Sequence, residues 1–417
     1  MDINKFLIAF AVLTIAVFLF SVLRPGKVLK LYMISRPIIQ PFIFLQYKMG
    51  SIPFSWLWSM FLPITYLLHI FRRDWRIVCP KSRPLLLLFL LGAFSMIYAI
   101  DLKESLEGVI KIMTAYFAFG IAYNSVRSNT DGLNILKGMV LSSVVPLSYG
   151  FYQKISGNYD QIIDMSVKRV SSVFGVGNAY GIYLSIVLCA TIVLIMNSKT
   201  KKQWLFYGLF FCALLASQVL ALNRGTWIAF TAGSIVAVFT FWEKVNKKVL
   251  LVLVVGMGVF ASGIVYERFT EVRYRYTGEV ADTFQGRVET WRSLVPLIME
   301  RPLHGYGVGA CRTTELAGNR EHIAPHNDYV LLAIEMGLFG PIIHFFFLSS
   351  FIFYYFRRRK KLDFHWKYNF PLLILAVYFL IISSTQNIVY NLTNFVFYNV
   401  LNGVAVKVNE LQSDDES

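Results

Sequence analysis

Apolar runs long enough to cross a bilayer recur along this chain, and that recurrence restricts its folds more than any other feature. Twelve runs of 17 to 24 residues occupy Phe6–Leu23 and then roughly 51–71, 84–100, 105–126, 132–152, 178–196, 204–222, 226–242, 249–266, 329–352, 369–386 and 389–406. A membrane helix needs about 20 such residues. Only 15% of the chain is charged, against about 25% in soluble domains. A soluble enzyme, a disordered protein and a disulfide-stapled secreted domain are therefore excluded. Cys79, Cys189, Cys212 and Cys311 are scattered and make neither a zinc pattern nor a disulfide framework. The expected fold is all-α, a polytopic membrane protein of about 12 transmembrane helices with one large loop. Phe6–Leu23 exceeds a signal-peptide core and lacks a small-x-small cleavage site, so it reads as a retained helix. Residues 31–46 contain Arg36, Pro37 and Pro41 and read as an interfacial or re-entrant piece, with a thirteenth span left open.

The formal net charge of +16 is dispersed. The longest polar stretch, 267–328, holds eight Arg, no Lys and nine Asp or Glu, so the excess lies elsewhere. Nucleic-acid binding would collect positive charge on one folded surface. Here it sits in short segments between apolar runs, as the positive-inside rule expects. The clusters Arg72–Arg76, Lys199–Lys202, Lys244–Lys248 and Arg357–Lys361 are expected in the cytoplasm, with both termini, and the 267–328 loop on the opposite side. One conflict remains: the 24–50 segment, with five Lys or Arg, falls outside unless the thirteenth span exists. The expected organisation is a helix bundle over 1–266 (about ten spans), a catalytic loop over 267–328, C-terminal helices over 329–406 and an acidic tail over 407–417. No internal repeat stands out. Inverted-repeat transporters show paired broken spans in their halves, whereas this chain has one large loop placed late, which counts against a carrier.

The loop uses only Arg although the whole chain has 20 Arg and 20 Lys. Arg is preferred where phosphate or carboxylate is recognised bidentately. The plain alternative is pairing with the loop's own carboxylates and with headgroups. His304, His322 and His326 also fall here. His322 and His326 have the spacing of a helical metal pair, but Pro325 lies between them, and Pro is tolerated at a helix start rather than inside. A helix is therefore expected to begin near Ala324-Pro325, with His326 in its first turn. The positive helix end would disfavour imidazolium, leaving a neutral general base, and would offer free N–H groups to an anion. The alternative is a histidine that merely caps the helix. Arg224, in Leu222-Asn223-Arg224-Gly225-Thr226, joins two apolar runs with almost no loop. Such a residue either snorkels or faces the bundle interior and marks a substrate path. By parity it lies on the side of the large loop, where it can face His326 across a cavity.

These residues carry a resemblance to the O-antigen ligase/polymerase superfamily. Pro302-Leu303-His304-Gly305-Tyr306-Gly307-Val308-Gly309, then His326-Asn327-Asp328-Tyr329, then Glu335-Met336-Gly337-Leu338-Phe339-Gly340 resemble its signature in order and spacing. Gly286-Arg287 with Trp291 looks like an upstream element, and Asn223-Arg224-Gly225 is similar to a Ser-Arg-Gly turn, with Asn replacing Ser. Gly150–Gln153 and Arg169–Phe174, ending at Asn178, resemble two earlier elements, with Gly177 where the family commonly has Pro. The resemblance covers roughly 145–345.

What it implies is an integral membrane glycosyltransferase of the bacterial inner membrane with a periplasmic active site. Its donor would be an undecaprenyl-diphosphate-linked glycan. The leading acceptor is lipid A–core, which makes an O-antigen ligase. A polymerase using the same donor is the nearest rival, followed by transfer to protein hydroxyls. A lipid-linked glycan transporter is the alternative of another class. Arg224 and Arg287 would hold the donor diphosphate and His326 would activate the acceptor hydroxyl, with no cofactor, neither ATP nor metal. Arg169, Arg292 and Gln153 are further candidates for donor or sugar contacts, with Asn327 beside the base. Tyr306 and Tyr329 are candidates for stacking on sugar rings.

Overall fold

The computed structural model describes residues 24–44, 48–49, 52–71, 75–158, 169–244, 284–313, 316, 323–360 and 366–414. The expected spans Phe6–Leu23 and 249–266, the loop residues 267–283, His322, Arg72 and Arg73 lie outside these. The described chain is helical apart from a two-residue antiparallel pair, β1 (Lys48–Met49) with β2 (Ile52–Pro53). Its helices are α1 (Pro25–Phe44), α2 (Phe54–Ile70), α3 (Arg83–Ser95), α4 (Leu102–Ser125), α5 (Asn129–Leu141), α6 (Val144–Ser156), α7 (Gly177–Met196), α8 (Lys201–Leu220) and α9 (Arg224–Thr240). After the loop come α10 (Phe284–Glu300), α11 (Asp328–Met336), α12 (Phe339–Arg357), α13 (Trp366–Ile382) and α14 (Leu392–Asp414). Among the described residues, five helical stretches are long and apolar enough to cross a membrane: α4, α5 continued into α6, α7, α8 and α12.

Hydropathy alone does not decide which helices are central. α7 and the much less apolar α4 each have 78% of their most apolar window buried inside the protein, whereas α8, slightly more apolar than α4, has 17%. α7 is thus a core helix, and α8 turns most of its side chains outward. α14 runs along α4 and carries buried asparagines that act as polar ties. Asn402 Oδ1 accepts from the Tyr355 hydroxyl at 2.7 Å, and Asn409 donates to Asn369 Oδ1 at 2.8 Å. Small residues allow backbone approach where helices cross. A Cβ at Gly233 of α9 would stand 2.4 Å from the Ile374 carbonyl oxygen of α13.

The helices run between two ends of the bundle. One end gathers the start of α4, the end of α3, the starts of α7, α9 and α14, and all of residues 302–313 and α11. The other carries Lys199–Lys202 after α7, Lys244 after α9, Arg357–Lys360 at the end of α12, and Arg76 bonded to Asn124 near the end of α4. Every described part of the basic clusters therefore shares one end, opposite the loop.

Residues 31–46 depart from the expectation of an interfacial piece. Their described part belongs to the continuous helix α1, which starts with Gly26 against Ser125 at the basic end. It reaches Thr393 at the loop end through a 3.0 Å bond to Gln40. The apolar run reads as short because burial follows helical period: Val28, Leu29, Tyr32, Met33, Arg36 and Pro37 all face inward. With α1 running from the basic end to the loop end, Arg24 and Lys27 join the basic end, whereas Lys48 follows α1 at the loop end.

Candidate functional site

Between α13 and α14 the chain makes a compact turn over residues 383–391, and the expected catalytic residues converge on it. Asp328, the first residue of α11, is fully buried. Its Oδ1 accepts from the backbone N–H groups of Ile388 (2.8 Å) and Val389 (3.2 Å). Its own N–H donates to the Ser383 carbonyl at 2.7 Å, and the Asn327 N–H donates to Asn387 Oδ1 at 2.8 Å. The turn and the His326-Asn327-Asp328 segment thus form one stitched unit.

Arg287 reaches the same turn from α10, where its Nη1 donates to the Thr385 carbonyl at 2.9 Å. Trp291, one helical turn further on, donates from Nε1 to the Pro325 carbonyl at 2.8 Å, so α10 holds the residue next to His326. Arg224 opens α9. Asn223 caps that helix by accepting from the Thr226 N–H, which is the physical content of Asn standing where the resemblance has Ser: both are good N-caps. The preceding Leu222 is left-handed at φ 47°. A Cβ on Gly225 would lie 3.5 Å from Thr385 Oγ1, so the Arg224 turn also rests on residues 383–391. Arg224, Arg287 and His326 are therefore brought to one place.

The expected start of the helix after Pro325 is not what the structure has. α11 begins at Asp328, with Asn327 as N-cap, and His326 lies before the cap in a left-handed conformation at φ 49°. Asn327 Oδ1 accepts from the Tyr329 and Val330 N–H groups (2.9 and 3.3 Å), and the Asp328 N–H is taken by Ser383. The helix end consequently has no free N–H to offer an anion, contrary to expectation. Any anion here is left to the side-chain cations. His326 itself is exposed, while Asn327 and Asp328 on either side of the cap are buried.

The other candidates divide. Arg169 is half-buried beside the Arg224 turn: Val170 donates to the Leu220 carbonyl at 3.3 Å, and a Cβ on Gly177 would lie 3.8 Å from Arg169 Cβ. Gln153 is fully buried, and its Oε1 accepts from the Ser172 N–H at 2.8 Å, so it shapes the loop that presents Arg169. Arg292 is exposed on α10. Tyr329 is half-buried and donates its hydroxyl to the Leu380 carbonyl at 3.2 Å. Tyr306 is buried, with the Arg301 guanidinium 4.5 Å from its ring centroid, an arrangement of packing.

Sequence reasoning passed over two groups. His344 of α12 is 1% exposed, with Nε2 at 3.3 Å from Ser383 Oγ and 3.7 Å from Asp328 Oδ2, behind the turn that Arg287 reaches from α10. An ionisable residue inside the 329–352 apolar run was the signal available for it. The second group is the lock around the glycine motif. Gly305, Gly307 and Gly309 all have positive φ (68°, 91° and 84°). Tyr306 and Gly307 donate to the Ile334 and Glu335 carbonyls, each at 2.9 Å, which occupies carbonyls that the end of α11 would leave orphaned. A Cβ on Gly307 would stand 2.5 Å from Ala99 Cα. The motif is a backbone strap, closed by Arg312 on Glu104 (3.3 Å) and Glu107 (3.2 Å) and by the Tyr390 hydroxyl on Glu335.

A comparison with curated proteins finds no match for this chain. Residues 217–345, which carry Arg224, Arg287, the glycine strap, His326 and most of α12's first turns, match the O-antigen ligase family.

Proposed function

We propose that this protein is an O-antigen ligase: a glycosyltransferase that moves an undecaprenyl-diphosphate-linked glycan onto lipid A–core. The family match supports a glycosyltransferase of ligase or polymerase type, and with the apolar helices it supports an integral membrane protein. The observation that carries the finer reading is the convergence of Arg224, Arg287 and His326 on the 383–391 turn. The bundle end opposite the basic clusters holds this convergence, which by the positive-inside rule favours the periplasmic side of the inner membrane.

The chemistry follows from these groups. An acceptor sugar hydroxyl attacks the anomeric carbon of the donor. His326, exposed on its left-handed perch, accepts the hydroxyl proton as the new glycosidic bond forms. The bond from the anomeric carbon to the phosphate oxygen breaks, and the lipid diphosphate leaves with the electron pair. Charge growing on that diphosphate is stabilised by guanidinium groups fixed in advance, which is where rate enhancement in transfer reactions of this kind largely arises. Thr385 orients one of them, and the Asn223 cap sets the backbone of the other. Arg169, beside the Arg224 turn, is placed to extend the cationic surface toward the donor. Arg292, exposed on α10, and the half-buried Tyr329 are further candidates for sugar contacts.

The polymerase reading shares the donor and the leaving-group machinery and differs only in acceptor. The deciding experiment supplies purified protein in liposomes with lipid-linked glycan and lipid A–core, without ATP. Glycan appearing on lipid A–core establishes the ligase. Chains lengthening on the carrier lipid with untouched core would instead make it a polymerase, and movement of donor between leaflets without any transfer would make it a transporter.

A further inference from the structure

Arg36 sits on the inward face of α1 and is 4% exposed. Among the described residues its buried Nε and Nη1 have no hydrogen-bond partner. Tyr32, one turn earlier, stacks on Trp58 with ring centroids 6.2 Å apart, and its hydroxyl is also buried without a partner. Gln40, one turn later, accepts the Thr393 bond that ties α1 to the loop end. Spacing of four residues puts all three polar side chains on one stripe. Lys30, on the same helix, shows the usual solution for a cation: its stem lies in the groove left by Gly138, where a Cβ would meet Lys30 Cγ at 2.4 Å, and the side chain stays half-exposed. Arg36 does not take that route.

Nor does a carboxylate balance it. α1 packs against α2, α4, α5, α6, α14 and the 172–174 turn. The carboxylates described on these elements are engaged at the helix ends. Glu104 and Glu107 meet Arg312 and Lys111, Asp131 accepts from Ser128 at its own helix start, and Glu410 accepts from Tyr123. A buried cation without a counter-ion or hydrogen bonds is strongly unfavourable, and ionisable residues inside membrane bundles mark substrate paths.

We propose that Arg36, with the Tyr32 hydroxyl, is an interior anion site that takes a phosphate of the lipid-linked donor. The inference rests on the reading of the preceding section. A planar guanidinium suits phosphate, and the position fits. Arg36 is one turn, about 5.4 Å along the axis, from the Gln40–Thr393 bond beside the 383–391 turn. The 172–174 turn packed on α1 continues from Arg169. The site adds affinity for the donor and takes no part in proton transfer.

The test measures undecaprenyl diphosphate binding to the full-length protein in phosphatidylcholine nanodiscs, for wild type, Arg36→Met, Arg36→Lys and Tyr32→Phe. Arg36→Met should weaken binding about tenfold or more, as loss of a charge-assisted contact does. Arg36→Lys should recover part of it, and Tyr32→Phe should weaken it less. Should Arg36→Met not fold, the other two variants carry the same comparison. A parallel titration uses phosphatidylglycerol. Loss of phosphatidylglycerol binding with undecaprenyl diphosphate affinity intact means a headgroup site and overturns the proposal, as does no change in either ligand. If wild type itself binds no undecaprenyl diphosphate, the donor reading fails too; if it binds and the variants match it, only this inference fails.

Discussion

In the strap over 302–313, backbone N–H groups meet the last carbonyls of α11, and Arg312 lies between Glu104 and Glu107. Twenty residues on, at 323–329, the chain is handled differently. His326 is exposed and left-handed, while Pro325, Asn327 and Asp328 beside it are bonded to Trp291, Asn387 and the 388–389 backbone. Both pieces pack on α11, one at each end. The strap spends its hydrogen bonds on fixing α11. The His326 loop spends them on holding one side chain out of the packing, where a substrate can reach it. Closeness in sequence and in space thus goes with opposite uses of polar groups, and local backbone strain is concentrated where chemistry is proposed.

The sharpest way to break this contrast is Gly307→Val. A side chain there meets Ala99 at 2.5 Å from a backbone with φ 91°, so destabilisation above about 4 kcal/mol is expected, read as loss of a monodisperse species in detergent gel filtration. His326→Ala should do the reverse. Transfer should fall about 10²- to 10⁴-fold in the ATP-free assay, with protein yield and donor binding unchanged; normal transfer would end its role as base. Arg287→Ala should cost about 10²- to 10³-fold in transfer rate. Arg287→Lys should restore little, since an ammonium cannot reproduce the guanidinium fork; full recovery with Lys would mean the charge alone matters. Arg312→Met sharpens the strap side, because it strands Glu104 and leaves Glu107 with Lys111 alone. A loss of about 2 kcal/mol in chemical denaturation is expected, with transfer per folded molecule unchanged. Arg292→Ala is expected to be smallest, roughly a threefold rise in donor KM without change in kcat, the pattern of lost uniform binding.

How much of this was readable beforehand differs residue by residue. Arg224 stood out because it joins two apolar runs with almost no loop, Arg287 because the resemblance falls on it within a loop that uses Arg alone, and His326 because it was expected in the first turn of a helix. The helix start was misjudged because Pro325 and Asn327 are competing signals two residues apart. The choice between them depends on Trp291 and Asn387, which bind that stretch from 34 and 60 residues away. His344 was hidden by its apolar neighbours. The glycine motif was visible as a motif, but its use as a strap was not, since nothing local says that Gly307 will meet Ala99. α1 was misread because a run-length criterion misses a helix whose inward face includes an arginine.

The order of apolar runs, the basic segments between them and the all-helical class were decided by the sequence alone. Burying backbone polar groups in a bilayer leaves a chain with about 20 apolar residues at a time little choice but helix. Tertiary closure alone decided which cations share the 383–391 turn, which helices are core and which face outward, and that Arg36 is held inside. These outcomes depend on contacts between residues tens to hundreds of positions apart, and such contacts have a free energy only once the helices are packed together.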